Sequence, residues 1–228
     1  MSEMVVNAVS KNFNGRTILN NVDFRLKRNE ILGIFGRNGT GKSTLLKLLY
    51  GTMNADVLSM EINGKTFNGS HRKLGDNAII KNQLIGYLPQ FSFLPASMRV
   101  WNVIPLFHPA GEAQDRIFNA PRLGSFSKKK VGELSIGERR YLEIQLVGNL
   151  DHPFLFLDEP FSMVEPLYAE VISQLILDLK PKKGIIITDH YYKNVWDVAT
   201  AKKVLTHGRL HDANEMQDLV DLGYLNSL

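Results

Sequence analysis

The order of apolar and polar residues divides the chain into three parts. The first part carries alternating or continuously apolar runs, which predict a helix from residue 42 to about residue 50 and strands at residues 4–10, 22–26, 30–35, 58–62 and 84–88. The second part, residues 91–150, has a mostly helical pattern that prolines interrupt. The third part predicts a strand at residues 154–157, a helix at residues 166–179 and a strand at residues 184–188.

This order of elements predicts an α/β fold. Strands that alternate with helices are typical of a mainly parallel sheet with helices on both faces. The helical middle part then reads as an insertion into that core. We therefore expect a single domain over residues 1–228, with the core at 1–90 and 151–228 and the helical subdomain at about 91–150.

Composition narrows the class of protein. The chain has no cysteine, which excludes disulfides and thiolate metal sites and fits a reducing cytoplasm. No apolar run approaches the roughly 18 residues that span a bilayer, and the start lacks the pattern of a signal peptide. The net charge of +4 suits a polyanionic ligand without identifying it. The basic cluster at residues 128–130 is more typical of solvated surface than of a nucleic-acid interface.

A glycine-rich loop carries the first chemical signal. Residues 36–43 read Gly-Arg-Asn-Gly-Thr-Gly-Lys-Ser and match the pattern of a loop that binds nucleotide phosphates. Glycines let successive backbone N–H groups face phosphate oxygens, and the following helix adds the positive end of its dipole. Lys42 supplies a charge for the β- and γ-phosphates, and the Ser43 hydroxyl is placed to bind Mg²⁺. A chance match is disfavoured because the loop follows an apolar strand and opens a helix.

Two acidic residues supply the second signal. Asp158 and Glu159 follow the apolar strand at residues 154–157, and ligands bind at this carboxyl end of strands in open α/β sheets. Asp158 would bind Mg²⁺, and Glu159 could polarise an attacking water. The alternative for such a pair, taken alone, is the cap of a following helix. Together with the loop at Gly36, the pair predicts an ATP-binding and ATP-hydrolysing site.

With these motifs the chain resembles the ATP-binding subunit of ABC transporters over nearly its whole length. The segment Leu134-Ser135-Ile136-Gly137-Glu138 resembles the signature motif of that family. Gln90, His190 and Phe13 stand where the family has its Q-loop glutamine, its switch histidine and an aromatic residue that stacks on adenine. The resemblance implies a P-loop NTPase fold of the RecA type. That fold has a mainly parallel sheet, an antiparallel N-terminal β portion and an inserted helical subdomain.

The resemblance also implies roles for residues. Two subunits would face head to tail around two ATP molecules, so that the signature of one copy completes the site of the other. The implied catalytic residues are Glu159, His190 and Gln90. Mg²⁺ would be bound by Ser43, Gln90 and Asp158. ATP would be bound by Phe13, Gly36, Asn38, Gly39, Thr40, Gly41, Lys42, Ser43, Thr44, Ser135, Gly137 and Glu138.

Several positions depart from the family pattern. Ile136 replaces a signature glycine, Glu138 replaces the usual glutamine, and Glu165 stands for an aspartate in the D-loop. Asn29 replaces a glycine before the third strand, and asparagine tolerates the left-handed conformation that such a turn needs. The sequences around Glu159 and His190 resemble the branch of the family that serves branched-chain amino-acid uptake and lipopolysaccharide export.

Two functions stay open at this level. The first is the energy-coupling subunit of a transporter, located at the inner face of the membrane through a separate membrane-spanning partner. The alternative is a soluble ABC-type ATPase that acts on a cytoplasmic complex or on nucleic acid. Large apolar side chains after Gln90, among them Phe91 and Phe93, are either core residues of the helical part or a docking surface for the membrane partner.

Overall fold

A computed structural model describes residues 2–69, 78–109 and 111–227. Its strands are β1 (Glu3–Phe13), β2 (Arg16–Lys27), β3 (Ile31–Phe35), β4 (Val57–Ile62), β5 (Lys65–Asn68), β6 (Ile85–Leu88), β7 (Phe154–Asp158), β8 (Gly184–Thr188), β9 (Ala201–Thr206) and β10 (Arg209–Asp212). Its helices are α1 (Lys42–Tyr50), α2 (Ala78–Lys81), α3 (Val100–Phe107), α4 (Glu112–Phe118), α5 (Leu123–Phe126), α6 (Ile136–Gly148), α7 (Pro166–Leu179), α8 (Tyr192–Val198) and α9 (Met216–Asp221). Short 3₁₀ turns lie at Val131–Glu133 and Lys180–Lys182.

The strands form two sheets. In the larger sheet the order is β10-β9-β3-β8-β7-β6, and every pair is parallel except the one between β10 and β9. In the smaller sheet the order is β2-β1-β4-β5, and all pairs are antiparallel. The predicted α/β fold with a mainly parallel sheet and an antiparallel N-terminal portion is therefore confirmed.

The three central strands of the larger sheet explain the continuously apolar runs in the sequence. All residues of β3, β7 and β8 are buried, because helices and the smaller sheet cover both faces. One cluster of buried side chains joins these strands to the helical middle part, and a second joins them to α1 and the smaller sheet. Strands buried on both faces need no polar alternation, and parallel strands of this kind end in loops at one common edge.

The segment between β6 and β7 is helical, as predicted, and the prolines fall at helix ends or in connections apart from Pro105, which lies within α3. Its helices bury apolar side chains, among them Val103, Ile117 and Phe126, in the same core cluster as side chains of α6 and α7. Among the described residues, no helix is long and apolar enough to cross a bilayer.

Candidate nucleotide-binding site

One pocket collects loops from the carboxyl ends of β3, β6, β7 and β8. It encloses about 420 Å³ and lies over the start of α1. Eleven residues line it, and ten of them were predicted from the sequence. They are Phe13, Ile18, Asn38, Gly39, Gly41, Lys42, Ser43, Thr44, Gln90, Glu159 and His190, of which only Ile18 was not predicted.

Two glycines of the loop at residues 36–43, Gly36 and Gly41, are required by its close packing. Gly41 has a φ of 106°, and a Cβ there would lie 2.7 Å from the Ile18 side chain. At Gly36, with a φ of 156°, a Cβ would lie 2.7 Å from the Leu205 carbonyl oxygen. Thr40 closes the turn, because its Oγ1 donates to the Arg37 carbonyl oxygen at 2.9 Å. The loop therefore brings its backbone directly onto the N-terminus of α1, where anions bind favourably.

Lys42, the first residue of α1, is buried beneath this loop. Its Nζ donates to the carbonyl oxygens of Gly36 at 2.5 Å and Arg37 at 3.3 Å. Burial lowers the pKa of Lys42, and the carboxylates of Glu159, Asp158 and Asp189 oppose that shift. The ammonium group is thus held inside its own loop, next to the positions where phosphate oxygens would lie.

Asp158 ends β7 and is almost fully buried. Its Oδ1 accepts hydrogen bonds from Ser43 Oγ at 2.9 Å and Thr188 Oγ1 at 2.8 Å, and its Oδ2 accepts one from the Tyr87 hydroxyl at 3.1 Å. A carboxylate beside a hydroxyl is an all-oxygen donor set of the kind that Mg²⁺ uses together with phosphate oxygens. The chemistry of these side chains therefore fits the predicted Mg²⁺ ion.

Glu159 lies between the two other predicted catalytic side chains. Its Oε2 accepts from Gln90 Nε2 at 2.9 Å, and its Oε1 lies 2.7 Å from His190 Nε2. The backbone of Glu159 has a φ of 56°, in the left-handed region, and its N–H donates to the Thr188 carbonyl oxygen at 2.7 Å. Such strained backbone in a residue other than glycine is concentrated at functional sites. It aims this carboxylate into the pocket rather than along the strand.

Sequence reasoning missed two polar residues beside the site. Asp189 is fully buried, and its carboxylate accepts backbone hydrogen bonds from Phe161 at 2.6 Å and Tyr191 at 3.0 Å. Burial raises the pKa of Asp189 to about 6. Tyr87, in β6, donates to Asp158 as described above. Asp189 could have been suspected from its place before His190, whereas nothing in the sequence marks Tyr87.

The predicted signature residues lie outside this pocket. Ser135 is the N-cap of α6, and its Oγ accepts from the Glu138 N–H at 3.1 Å while Glu138 Oε2 accepts from the Ser135 N–H at 2.9 Å. Glu138 also pairs with Lys129 at 2.9 Å. Gly137 packs so tightly that a Cβ would lie 2.8 Å from the Tyr168 side chain. Ser135, Gly137 and Glu138 therefore form the start of a well-capped helix, and one chain does not bring them to the phosphate loop.

A larger cavity of about 700 Å³ lies at the opposite edge of the sheet, before β3, β7 and β8. Its charged residues include Arg28, Asp151, Lys182 and Lys183, and the helices α6 and α7 end beside it. Helix C-termini carry the negative end of the dipole, which is unfavourable for phosphates. The smaller pocket, with a helix N-terminus and the glycine-rich loop, is therefore the candidate nucleotide site.

Comparison with known proteins identifies the family of the chain. The family model described as ABC transporter matches residues 19–162, which is more than half of the chain. An uncharacterized ABC transporter ATP-binding protein of Rhizobium meliloti is 32% identical, covering 92% of this chain and 81% of that protein. A probable branched-chain amino acid transport ATP-binding protein of Archaeoglobus fulgidus is 31% identical over 85% of this chain and 84% of its own length.

Two further similarities extend the comparison. A lipopolysaccharide export system ATP-binding protein of Haemophilus influenzae is 27% identical, covering 92% of this chain and 89% of its own. The fold also matches the crystal structure of a nucleotide-free ATP-binding cassette from an ABC transporter, with a TM-score of 0.79, 21% identity, and coverage of 97% of this chain and 96% of that one. The chain therefore belongs to the ABC transporter family, as an ATP-binding subunit with ATPase activity.

Proposed function

We propose that two copies of this subunit close head to tail around two Mg-ATP molecules and thereby drive a separate membrane-spanning subunit, at the cytoplasmic face of the membrane. One observation carries the proposal. The phosphate loop and the Gln90–Glu159–His190 cluster line one pocket, whereas Ser135 and Gly137 begin a helix elsewhere on the chain. The helix N-terminus of α6 suits an anion, so a second copy could supply what each pocket lacks.

The residues of the pocket suggest how hydrolysis would proceed. Mg²⁺, when bound, would neutralise charge on the β- and γ-phosphates. Lys42 would exchange its carbonyl partners in the loop for phosphate oxygens, and Phe13, whose ring is 42% exposed, would stack on the base. Ser43 and Asp158 would hold the metal, with Gln90 as a further ligand. Ser135 and the Gly137 N–H of the other copy would contact the γ-phosphate.

Glu159 is the proposed general base. Both of its oxygens are already engaged, one by Gln90 and one by His190, so the carboxylate is oriented before any water reaches it. Movement of Gln90 toward the metal would free one oxygen to accept the proton of the attacking water. His190 would hold the other oxygen and contact the γ-phosphate. The contacts of Glu159 with Gln90 and His190 would thus orient the carboxylate and also make its activity as a base depend on bound nucleotide.

The surface around the signature also supports self-association. Ile136 is 49% exposed and Met163 is 71% exposed, and both line a hollow of about 230 Å³ next to Phe91 and Ser162. Exposed apolar side chains that surround polar catalytic groups are common at protein interfaces. The replacement of a signature glycine by Ile136 would then add apolar contact across the dimer.

Gel filtration with light scattering tests this dimer. Glu159→Gln with saturating Mg-ATP should form a dimer, because binding is kept while hydrolysis is slowed, and the wild type with ADP should be a monomer. Adding Ile136→Asp to Glu159→Gln should prevent the dimer, whereas Leu177→Asp, at a comparably exposed apolar position on α7, should not. A Glu159→Gln protein that stays monomeric at saturating ATP would point to a partner of different sequence.

A groove beside β6 is the proposed docking site for the membrane subunit. It encloses about 320 Å³ and is lined by Tyr50, Tyr87, Phe93 and Phe107 among others. Phe93 is 40% exposed, with its ring centroid 6.0 Å from that of Phe107. Phe91 is 80% exposed and lines the hollow near Ile136, two residues along the chain from Phe93, so a segment docked in the groove would extend over it. Other side chains of the same segment, such as Leu94, are buried. The segment thus contributes to the core and also exposes aromatic side chains, and this exposure supports the docking alternative.

Co-purification tests the docking site. Phe91→Glu should abolish recovery of the membrane subunit, while ATP binding and the melting temperature stay as in the wild type because the side chain is exposed. Phe93→Glu should also abolish recovery but should lower the melting temperature, because it loses contact with Phe107. Leu177→Glu is the exposed control. Recovery of a soluble complex or of nucleic acid, in place of a membrane protein, would favour the soluble ABC-type ATPase instead.

A further inference from the structure

Tyr87 connects two sites that the proposed function treats separately. It lies in β6, paired in parallel with β7, and its hydroxyl donates to Oδ2 of Asp158 at 3.1 Å. The other oxygen, Oδ1, accepts from Ser43 and Thr188. Tyr87 is therefore the residue that holds Oδ2 of Asp158, the oxygen that neither Ser43 nor Thr188 contacts.

The ring of the same tyrosine faces the docking groove. Tyr87 and Tyr50 have ring centroids 5.0 Å apart, and both rings line the groove together with Phe93 and Phe107. Burial, together with the charge of Asp158, raises the pKa of Tyr87 well above its ordinary value. The hydroxyl is the donor in its hydrogen bond with the Asp158 carboxylate.

We propose that Tyr87 is a positioning residue that fixes Asp158 for Mg²⁺ binding and transmits occupation of the docking groove to that carboxylate. The proposal rests on the proposed Mg-ATP site and groove, and it adds a link between them. Carboxylates that bind metals are oriented by hydrogen bonds from outer residues, and loss of such a partner typically weakens metal binding 10- to 100-fold. A ring that moved when the groove filled would move its hydroxyl relative to Oδ2.

The first half of the proposal is tested with two matched variants. Tyr87→Phe removes the hydroxyl and keeps the ring in the groove, and Tyr50→Phe removes a hydroxyl from the other ring of the pair. Binding of a fluorescent ATP analogue is titrated with Mg²⁺ for each protein, and binding without metal is measured in parallel. Melting temperatures confirm that both variants are folded.

Tyr87→Phe should need about tenfold more Mg²⁺ for half-saturation. Its affinity for the metal-free analogue should be unchanged, and Tyr50→Phe should behave as the wild type. A Tyr87→Phe protein with wild-type Mg²⁺ dependence would overturn this inference alone. An equal loss in Tyr50→Phe would overturn it too, because the loss would then not be specific to the hydroxyl that contacts Asp158. A wild type without any Mg²⁺ dependence would overturn the proposed Mg-ATP site and this inference with it.

The second half of the proposal, the link between the groove and Asp158, is tested by labelling one introduced cysteine, because the chain has no cysteine of its own. Phe93→Cys, labelled with a bulky aromatic maleimide, fills the groove at one known position, and labelled Leu177→Cys is the control. Labelling at residue 93 should change the Mg²⁺ concentration for half-saturation by about threefold or more, and this effect should disappear in the Tyr87→Phe background because coupled residues are non-additive. An equal effect of the label in both backgrounds would overturn the link through Tyr87.

Discussion

Lys42 and Lys183 are both buried lysines that donate to two backbone carbonyl groups, yet they lie at opposite edges of the larger sheet. Lys42 follows β3, and its partners are Gly36 and Arg37 of its own loop. Lys183 precedes β8 and donates to the carbonyl oxygens of Leu150 and His152, at 2.5 and 2.6 Å. Burial and a pair of carbonyl partners are thus not sufficient to identify a lysine that binds a ligand.

The surroundings of the two ammonium groups distinguish them. Three carboxylates oppose the effect of burial on the pKa of Lys42, and the helix next to it begins there. Burial lowers the pKa of Lys183 to about 8. Asp151 opposes this shift only in part, and the charges of Lys182 and Arg28 add to it. Helices α6 and α7 end at this edge. A helix N-terminus beside carboxylates suits the binding of Mg-ATP. A lysine beside helix C-termini instead stabilises the fold, because it donates to backbone carbonyl groups there.

The largest expected effect is on ATP hydrolysis, which we expect to depend on carboxylates at only one of the two edges. Glu159→Gln should lower the turnover of ATP about 10²- to 10⁴-fold, which is the usual contribution of a positioned general base. ATP affinity should be kept, because the phosphate loop is intact. The control is Asp178→Asn, which changes an exposed carboxylate in the cavity at the other edge and should leave turnover unchanged. Normal turnover in Glu159→Gln would show that this carboxylate is not the base.

The next effect compares the two lysines directly. Lys42→Met should weaken ATP binding roughly 10- to 100-fold, because charge-assisted hydrogen bonds each contribute about 1.5–3 kcal/mol. Lys183→Met should leave ATP binding unchanged and should lower the free energy of unfolding, because two buried carbonyl groups lose their donor. Isothermal titration and chemical denaturation measure the two quantities. Weakened ATP binding in both variants would contradict the distinction between the two edges.

Much of the fold could be predicted from the sequence because its signals are local. Helix α1, at Lys42–Tyr50, and helix α7, at Pro166–Leu179, have the predicted bounds, since glycines, a proline and apolar spacing mark their ends. The pattern predicted nothing after residue 188 and missed β5. Strand β9 carries Lys202 and Lys203 in its centre, and its position is fixed by pairing with β3 far away in sequence.

The site could be predicted for a similar reason. The phosphate loop is one contiguous segment, and Glu159 directly follows an apolar strand. The resemblance to a family supplied Gln90 and His190, which the structure brings together with Glu159. Tyr87 could not be found in this way, because its role depends on a hydrogen bond between neighbouring strands rather than on any spacing. Asp189 precedes the predicted His190, but its role depends on burial and on backbone hydrogen bonds from Phe161 and Tyr191, which no spacing in the sequence marks.

A smaller effect concerns the pH dependence of the structural lysine. The folded-state pKa of Lys183, about 8, lies below the ordinary value for lysine of 10.5, so the folded protein binds this proton less tightly than the unfolded chain. The free energy of unfolding should therefore rise with pH in this window, by about 1.4 kcal/mol between pH 7 and 9 for this group. Because other groups titrate too, the measurement is the difference between the wild type and Lys183→Met. A difference that does not depend on pH would contradict this pKa.

The smallest effect concerns Ser135, which lines neither of the two cavities and has two separable roles. As the N-cap of α6 it accepts a hydrogen bond from the Glu138 N–H, so Ser135→Ala should lower the free energy of unfolding by about 1 kcal/mol. In the proposed dimer its hydroxyl also contacts the γ-phosphate of the other copy, so the same change should reduce ATP-driven dimerisation.

Ser135→Asp separates these roles, because aspartate is an equally good N-cap but its charge would repel a phosphate. The variant should recover the stability of the wild type in chemical denaturation and should still fail to dimerise in the Glu159→Gln background with Mg-ATP. Binding of ATP to the monomer should be normal, since Ser135 lies outside the pocket of its own chain. A Ser135→Asp protein that dimerises as the wild type does would limit Ser135 to its structural role, and the second half of each site would then have to be sought elsewhere.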